Sequence, residues 1–217
     1  MVSTALKQDR ETFLQNLSPL PFSVNDDQLA LLDLYAEELF KWSNKINLIG
    51  PDTRSEIYTR HILDALQLVP YVSHETQILD IGSGAGVPGI ILSIMGFKNI
   101  TTCDVVSKKI IFQSSFAKKY LKGCGFSAEC ISIEDIDLKN QKRILVTSRA
   151  FAPLVKIFDM TSHLHDRTDQ MVLLKGQNFK EELLDCSKKY QMTYETFPSI
   201  TKEGAKIIKI TQFVKTQ

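Results

Sequence analysis

Ten consecutive residues, Asp80-Ile81-Gly82-Ser83-Gly84-Ala85-Gly86-Val87-Pro88-Gly89, hold four glycines behind one carboxylate. They read as D-x-G-x-G-x-G and, offset by two, as G-x-G-x-x-G. Such a run after a strand and before a helix lies where open α/β sheets bind ligands. Two nucleotide cofactors fit. A dinucleotide needs the free N–H groups of the helix start for its pyrophosphate, and Pro88 removes one of them. S-adenosyl-L-methionine has no phosphate. What it needs is backbone bare of side chains, with an acidic residue about 20 positions on for its ribose hydroxyls. Asp104 stands there, after Ile100 to Cys103. Gly82, Gly84 and Gly86 then supply the bare backbone, and Asp80 orients the loop or meets the ammonium through water. The motif favours the methyl donor over the dinucleotide, and either over a turn used only for packing.

Hydrophobic period assigns the elements that position this loop. From Asp26 the apolar residues Leu29, Leu32, Leu34, Tyr35, Leu39, Phe40 and Trp42 recur at three- and four-residue steps, a helical face with Asn25 or Asp26 as cap. Trp42 and Phe40 belong to its packing. Arg54 to Val69 repeats the theme until Pro70. After Ser73 the period changes to short, β-branched runs: Gln77 to Ile81, Ile100 to Val105, Ala128 to Ile133, Arg143 to Ser148 and Gln170 to Lys175. Helical stretches at Pro88 to Met95, Ser107 to Leu121 and Leu154 to His165, with a short turn near Asp135, separate them. Alternation of this kind predicts a parallel sheet covered on both faces. Gln191 to Phe197 and Ala205 to Phe213 read as a closing antiparallel hairpin. The expected fold is α/β, a Rossmann-like doubly wound sheet (74–217) behind an N-terminal helical cap (1–73).

Composition excludes several classes. The chain has 217 residues, 43% of them apolar, and 26 basic against 25 acidic side chains, so it is neither a disordered tail nor a highly charged arm. The near-neutral total conceals an asymmetry: up to Thr76 there are six basic and eleven acidic residues, leaving 20 basic and 14 acidic beyond it. A basic body suits a polyanion. No apolar run approaches the ~20 residues of a membrane span, and Lys7, Asp9, Arg10 and Glu11 occupy the place of a signal peptide's apolar stretch. A cytoplasmic protein is expected, without membrane or metal. Cys103, Cys124, Cys130 and Cys186 form no C-x-x-C pair and read as buried thiols.

Further motifs narrow the field: Trp42-Ser43-Asn44-Lys45-Ile46-Asn47-Leu48, Arg60-His61-Ile62-Leu63-Asp64-Ala65-Leu66, Asp104 with Lys108-Lys109, Ser148-Arg149-Ala150-Phe151-Ala152 and Leu174-Lys175-Gly176. With the glycine loop, they make the chain resemble the bacterial small-subunit rRNA methyltransferase G family (RsmG/GidB), class I methyltransferases that act on N7 of a guanosine in 16S rRNA. The resemblance implies S-adenosyl-L-methionine as cofactor, held at Gly82, Val87, Ile133, Glu134 and Arg149. It implies 16S rRNA as partner, naked or in a small-subunit particle, and a monomer. Asp64, Arg149 and Lys175 become the candidate catalytic residues, and Asn47, Arg60, His61 and Phe151 the candidate substrate contacts. Where the family often has Arg, this chain has Ser132, and a usual Gly-Glu-Arg segment is replaced by Glu203-Gly204-Ala205-Lys206.

The chemistry agrees with what the motifs omit. Guanine N7 carries a lone pair and no proton, so its attack on a sulfonium methyl needs alignment and no general base. The N/D-P-P-Y/F signature of exocyclic-amine methylation is replaced by Ser148-Arg149-Ala150-Phe151, and no cysteine stands at the end of the fourth or fifth strand for pyrimidine C5 chemistry. His61 and Asp64, three apart, read either as a helix-stabilising pair or as site residues. Phe151 reads as a platform for an extruded base or as core. A non-catalytic RNA-binding protein of this fold and a nicotinamide-linked oxidoreductase are the alternatives; calorimetric titration with each cofactor separates them.

Overall fold

The computed structural model describes residues 4–138 and 143–216. Among them, seven strands form one sheet: β1 Gln77–Ile81, β2 Ile100–Cys103, β3 Ser127–Glu129, β4 Ile144–Arg149, β5 Thr168–Lys175, β6 Tyr190–Pro198 and β7 Lys206–Lys215. Their spatial order is β3-β2-β1-β4-β5-β7-β6. The first five are parallel, and β7 runs antiparallel between β5 and β6. The order reverses between β1 and β4, and a ligand crevice opens at the carboxyl ends there.

Successive residues of a strand face opposite ways, so each central strand feeds two cores. Ile78, Ile100, Leu145 and Val172 join one apolar cluster, and Leu79, Val146, Met171 and Leu173 the other. The first cluster continues without a break into the N-terminal helices α1 (Thr4–Gln15) and α2 (Asp26–Ser43), through Leu6, Phe13, Leu32 and Leu39. Asn25 caps α2: its Oδ1 accepts from Gln28 N–H at 2.8 Å and its own N–H donates to Gln28 Oε1 at 3.0 Å. Trp42 meets Phe112 edge-on at 5.6 Å, the packing role expected of it.

The segment Arg54 to Val69 is not one helix. It contains a π-helical turn, Tyr58–Ile62, running into the short α3, Leu63–Leu66. Asp9 of α1 intervenes at its start, accepting from Tyr58 N–H at 2.7 Å and from the Thr59 hydroxyl at 2.6 Å. Beyond the glycine loop come α4 (Gly89–Ile94), α5 (Ser107–Tyr120), α6 (Leu154–Met160) and α7 (Phe179–Ser187). Periodicity extends α6 to His165, but Thr161 bonds back to the Ile157 carbonyl at 2.8 Å and a 3₁₀ segment follows. The sequence reading also misses α7, whose inward face is only Phe179, Leu183 and Cys186. β3 stops at Glu129, and Ile133 belongs to a 3₁₀ turn capped by Ser132. Of the cysteines, Cys103 and Cys186 are buried, whereas Cys124 is half-buried and Cys130 exposed. Among the described residues no helix is long and apolar enough to cross a membrane.

Candidate active site

Asp80 closes β1 from inside the protein. Fully buried, it accepts Gly89 N–H on Oδ2 at 2.8 Å, tying β1 to the start of α4, while Oδ1 has no hydrogen-bond partner among the described residues. Burial pushes its carboxyl up to about 7, against the opposing pull of the Gly89 bond and the Arg149 charge. The glycines have separate uses. Gly82, Gly84 and Gly86 take φ of +62°, +58° and +82°, where L side chains are strained. A Cβ on Gly82 would fall 2.1 Å from Phe151 Cδ2, and one on Gly86 would fall 2.5 Å from Ile90 Cδ1. At Gly84 the nearest atom is 4.0 Å away. Gly84 therefore faces open space, and the other two admit a neighbouring side chain.

Two buried side chains hold the loop from behind, and the sequence reading gave neither this role. Gln113 of α5 is fully buried: its Nε2 donates to Ser83 Oγ at 2.9 Å and to the Gly84 carbonyl at 2.8 Å, and its Oε1 accepts from Thr102 Oγ1. Tyr35 of α2 donates to the Ala85 carbonyl at 3.0 Å, and burial pushes its phenol pKa up. An isolated Gln inside an otherwise ordinary helix offered no signal, and Tyr35 was counted as part of an apolar face. Asp104 accepts Gly84 N–H at 3.0 Å and Lys109 Nζ at 3.2 Å on Oδ2, and Val106 N–H at 2.9 Å on Oδ1. The two acidic strand ends thus shape the loop between them.

Beside the loop lies a cleft of about 360 Å³, lined by Gly82, Asp104, Val105, Val106, Ile133 and Phe151 among others. Val105 is 70% exposed and Val106 41%, an apolar wall next to a carboxylate. Bare backbone at Gly82, an acidic oxygen at Asp104 and exposed valines fit the amino-acid, ribose and adenine portions of S-adenosyl-L-methionine. Other predicted contacts lie outside this lining, Gly84 beside it and Arg149 in a second cleft among them. Val87 is buried in the core behind the loop, as are Asp80 and the packing face of Gly86. Glu134 is exposed, its N–H bonded to Ser132 Oγ at 3.4 Å.

A second cleft, about 200 Å³, is lined by Arg60, Asp64, Arg149, Lys175, Lys202 and Lys206, with Ala150 common to both. Ala150 has φ +52°, unusual for a residue with a Cβ. That turn sends Arg149 toward one cleft and Phe151 toward the other. Arg149 Nη1 donates to the Arg60 carbonyl at 2.8 Å and lies 3.6 Å from Asp64 Oδ2, while Nη2 donates to His61 Nδ1 at 2.6 Å. His61 is 6% exposed, and its Nε2 donates to Thr53 Oγ1 at 3.1 Å, the tautomer this network requires. Burial, with Arg149 and Arg60 nearby, pushes its pKa down to about 3, so the ring is neutral. His61 and Asp64 are therefore not a mutual pair; both serve Arg149.

Lys175 lines this cleft but is ion-paired, and Asn47 lies outside it. Lys175 Nζ donates to the Ala152 carbonyl at 2.7 Å and is ion-paired with Glu182, whose Oε2 also accepts Leu154 N–H at 2.8 Å. That arrangement fixes the turn after β4 and commits the ammonium to protein partners. Asn47 is exposed outside both clefts and accepts from Arg54 Nη2 at 3.3 Å.

A family model described as rRNA small subunit methyltransferase G matches residues 28–211. A protein of Rickettsia typhi called ribosomal RNA small subunit methyltransferase G is 35% identical over 185 residues, 85% of this chain and 94% of that one. Its counterpart in Rickettsia prowazekii is 33% identical over 193 residues, 88% and 98% of the two chains. The crystal structure of magnesium protoporphyrin IX methyltransferase from Synechocystis PCC 6803 with bound SAM superposes with a TM-score of 0.55 at 17% identity, covering 88% of this chain and 99% of that one.

Proposed function

The chain belongs to the rRNA small subunit methyltransferase G family, and from that premise we propose that it transfers a methyl group from S-adenosyl-L-methionine to N7 of a guanosine in 16S rRNA. The observation that carries the proposal is the shared Ala150 turn: a side-chain-poor cleft and a cationic cleft meet at one residue.

Bound in the first cleft, S-adenosyl-L-methionine supplies an electrophilic methyl on a sulfonium. Gly82, Gly84 and Asp104 are the residues to hold it, with Val105 and Val106 covering its apolar part. On the acceptor side, N7 and O6 of guanine are adjacent acceptors suited to a guanidinium, and Arg149 presents one whose plane is fixed by His61 and the Arg60 carbonyl. Both ring nitrogens of His61 are occupied, and Lys175 is ion-paired. Asp64 Oδ1 takes two donors and Oδ2 faces the Arg149 guanidinium at 3.6 Å, so this carboxylate offsets the cationic charge gathered where methylation makes the purine positive. Such a site aligns two atoms and need not move a proton, which suits a ring nitrogen that is already nucleophilic. Phe151, packed over Gly82 at the mouth of the donor cleft, is placed to meet the base where the clefts join. The N-terminal residues 1–73 act as the cap that brings Arg60, His61 and Asp64 to the sheet; the protein works as a cytoplasmic monomer on rRNA or a small-subunit particle.

The test is to map 7-methylguanosine in 16S rRNA, by chemical cleavage at the modified base, in cells with and without this gene and after reaction of the purified protein with the donor. A gene-dependent cleavage site restored by the purified protein is expected. Identical cleavage patterns in both cells would overturn the assignment.

A further inference from the structure

The loop joining β6 to β7 is bound to the cap through side chains that no part of the donor site uses. Gln67, 4% exposed, accepts Ile200 N–H on Oε1 at 2.7 Å, and its Nε2 donates to Asp64 Oδ1 at 3.0 Å and to Thr201 Oγ1 at 3.3 Å. Thr201 Oγ1 donates in turn to Asp64 Oδ1 at 2.6 Å. From the other side Gln177 Nε2 donates to the Glu203 carbonyl at 3.1 Å. A loop pinned at two points by amides holds whatever it carries in a fixed place relative to Arg149, which shares Asp64 with it.

What it carries is positive charge. Lys202 and Lys206 line the acceptor cleft with Arg60, and among the described residues none of these three side chains has a hydrogen bond or ion pair. The near carboxylate, Asp64, is already taken by Arg149, Gln67 and Thr201, and Glu203 of the same loop lies outside the cleft lining. Three unpaired cations around a concave opening suit the phosphate backbone of a single-stranded or looped RNA.

We infer that the segment from Ser199 to Lys206 is the phosphate-binding rim for rRNA, with Lys202 and Lys206 as contacts, Gln67 as the residue that positions the loop bearing Lys202, and the β7 ladder holding Lys206; this rests on the rRNA reading above. Phosphate contacts set register on the nucleic acid and leave base choice to Arg149.

Filter binding of radiolabelled 16S rRNA at several salt concentrations, together with steady-state kinetics on the full-length protein, tests the inference. The double variant Lys202→Ala/Lys206→Ala is expected to weaken RNA binding about tenfold and to flatten the slope of log K against log salt by about 1.4, two phosphates at 0.7 each for single strands. KM for RNA rises with it, and the dissociation constant for S-adenosyl-L-methionine stays as in the wild type. Lys188→Ala, which removes an exposed lysine paired with Asp185 away from the cleft, controls for the loss of a surface lysine and leaves RNA binding unchanged. Gln67→Leu is expected to raise KM for RNA about tenfold with kcat within twofold. Because it removes a buried amide, Thr201→Val supplies a milder version that deletes one hydroxyl and shifts KM the same way. Double-variant binding equal to that of Lys188→Ala would overturn the lysine contacts, and unchanged KM in both Gln67→Leu and Thr201→Val would overturn the positioning role. A wild type that binds rRNA yet transfers no methyl group sinks the enzymatic reading instead, and the binding titration still decides the rim.

Discussion

His61 accepts a hydrogen bond from Arg149 at 2.6 Å, so a neutral imidazole fixes the guanidinium at the meeting point of the two clefts. The pair has a pH signature. Folding lowers the ring's pKa from its ordinary 6.5 to about 3, so the unfolded chain binds the proton more readily. The contribution to stability is complete above about pH 6.5 and is lost progressively as pH falls toward 3, by at most about 1.4 kcal/mol per pH unit. Urea denaturation between pH 7 and 4 should show this decline. His61→Asn keeps an acceptor near the Nδ1 position without titrating, and its profile is expected to be flatter over that window. Equal slopes for the two proteins would contradict the assignment.

Arg149 itself should be separable from folding. Arg149→Ala is expected to lower kcat by roughly 10² to 10³, the cost of losing a preorganised donor, with circular dichroism unchanged. Arg149→Lys should not rescue it, because one ammonium cannot reproduce the planar fork that spans the His61 ring and the Arg60 carbonyl. Activity within tenfold of wild type in the Lys variant would remove the guanidinium from the mechanism.

The glycine loop gives a prediction with an internal control. Gly82→Ala incurs both a left-handed backbone cost of about 1 kcal/mol and overlap with Phe151. Donor binding, measured by calorimetry, should weaken at least tenfold, and Gly82→Asp should abolish methylation with the fold retained. Adding Phe151→Ala to Gly82→Ala removes the overlap and leaves the backbone cost, so a partial recovery is expected. If the double variant binds the donor no better than Gly82→Ala, the ring is not the obstacle.

Most of the frame was readable because the sequence states it twice, in period and in punctuation. β1 and α2 begin where pattern and cap residues put them, and the glycine loop with Asp104 marked one cleft. What could not be read depends on distant partners. The π-turn at Tyr58–Ile62 answers to Asp9 some 50 residues earlier, and Lys175, in the lining of the acceptor cleft, is neutralised by Glu182 of a helix that periodicity did not reveal. Arg149 was found by its place at the end of β4, whereas its dependence on His61 needed coordinates. Gln67 gave no sequence signal, because a lone amide in a short helical segment looks like any solvated residue.

Asp80 titrates in the opposite sense to His61. Its folded pKa, about 7, stands above the ordinary 3.8, so the folded state favours the proton. Its contribution to stability is full below about pH 3.8 and is lost as pH rises through 7. A cationic donor nearby favours the ionised carboxyl, so binding should release a proton and tighten between pH 6 and 8. Calorimetry in two buffers of different ionisation heat measures that release; Asp80→Asn should abolish it. No buffer dependence in the wild type near pH 7 would show that the carboxyl does not sense the donor.

Gln113 offers the sharpest test of whether the loop's shape, apart from its glycines, sets donor affinity. Its amide satisfies Ser83, the Gly84 carbonyl and Thr102 at once, the first and last fully buried. Gln113→Leu leaves those groups without their partner, a loss of about 1 to 3 kcal/mol, and frees the turn that begins with Gly82 at the cleft. Gln113→Glu keeps an acceptor for Thr102 but sets a carboxylate against the Gly84 carbonyl, so it should be at least as damaging to the loop. Both variants are expected to lose roughly tenfold in donor affinity and to show a smaller rise in Tm with saturating donor than the wild type. RNA affinity should be nearly untouched, since the acceptor cleft is built from other residues. Were both to keep wild-type donor affinity while losing stability, the glutamine would be a core residue alone, and the loop would hold its shape through Asp80, Asp104 and Tyr35.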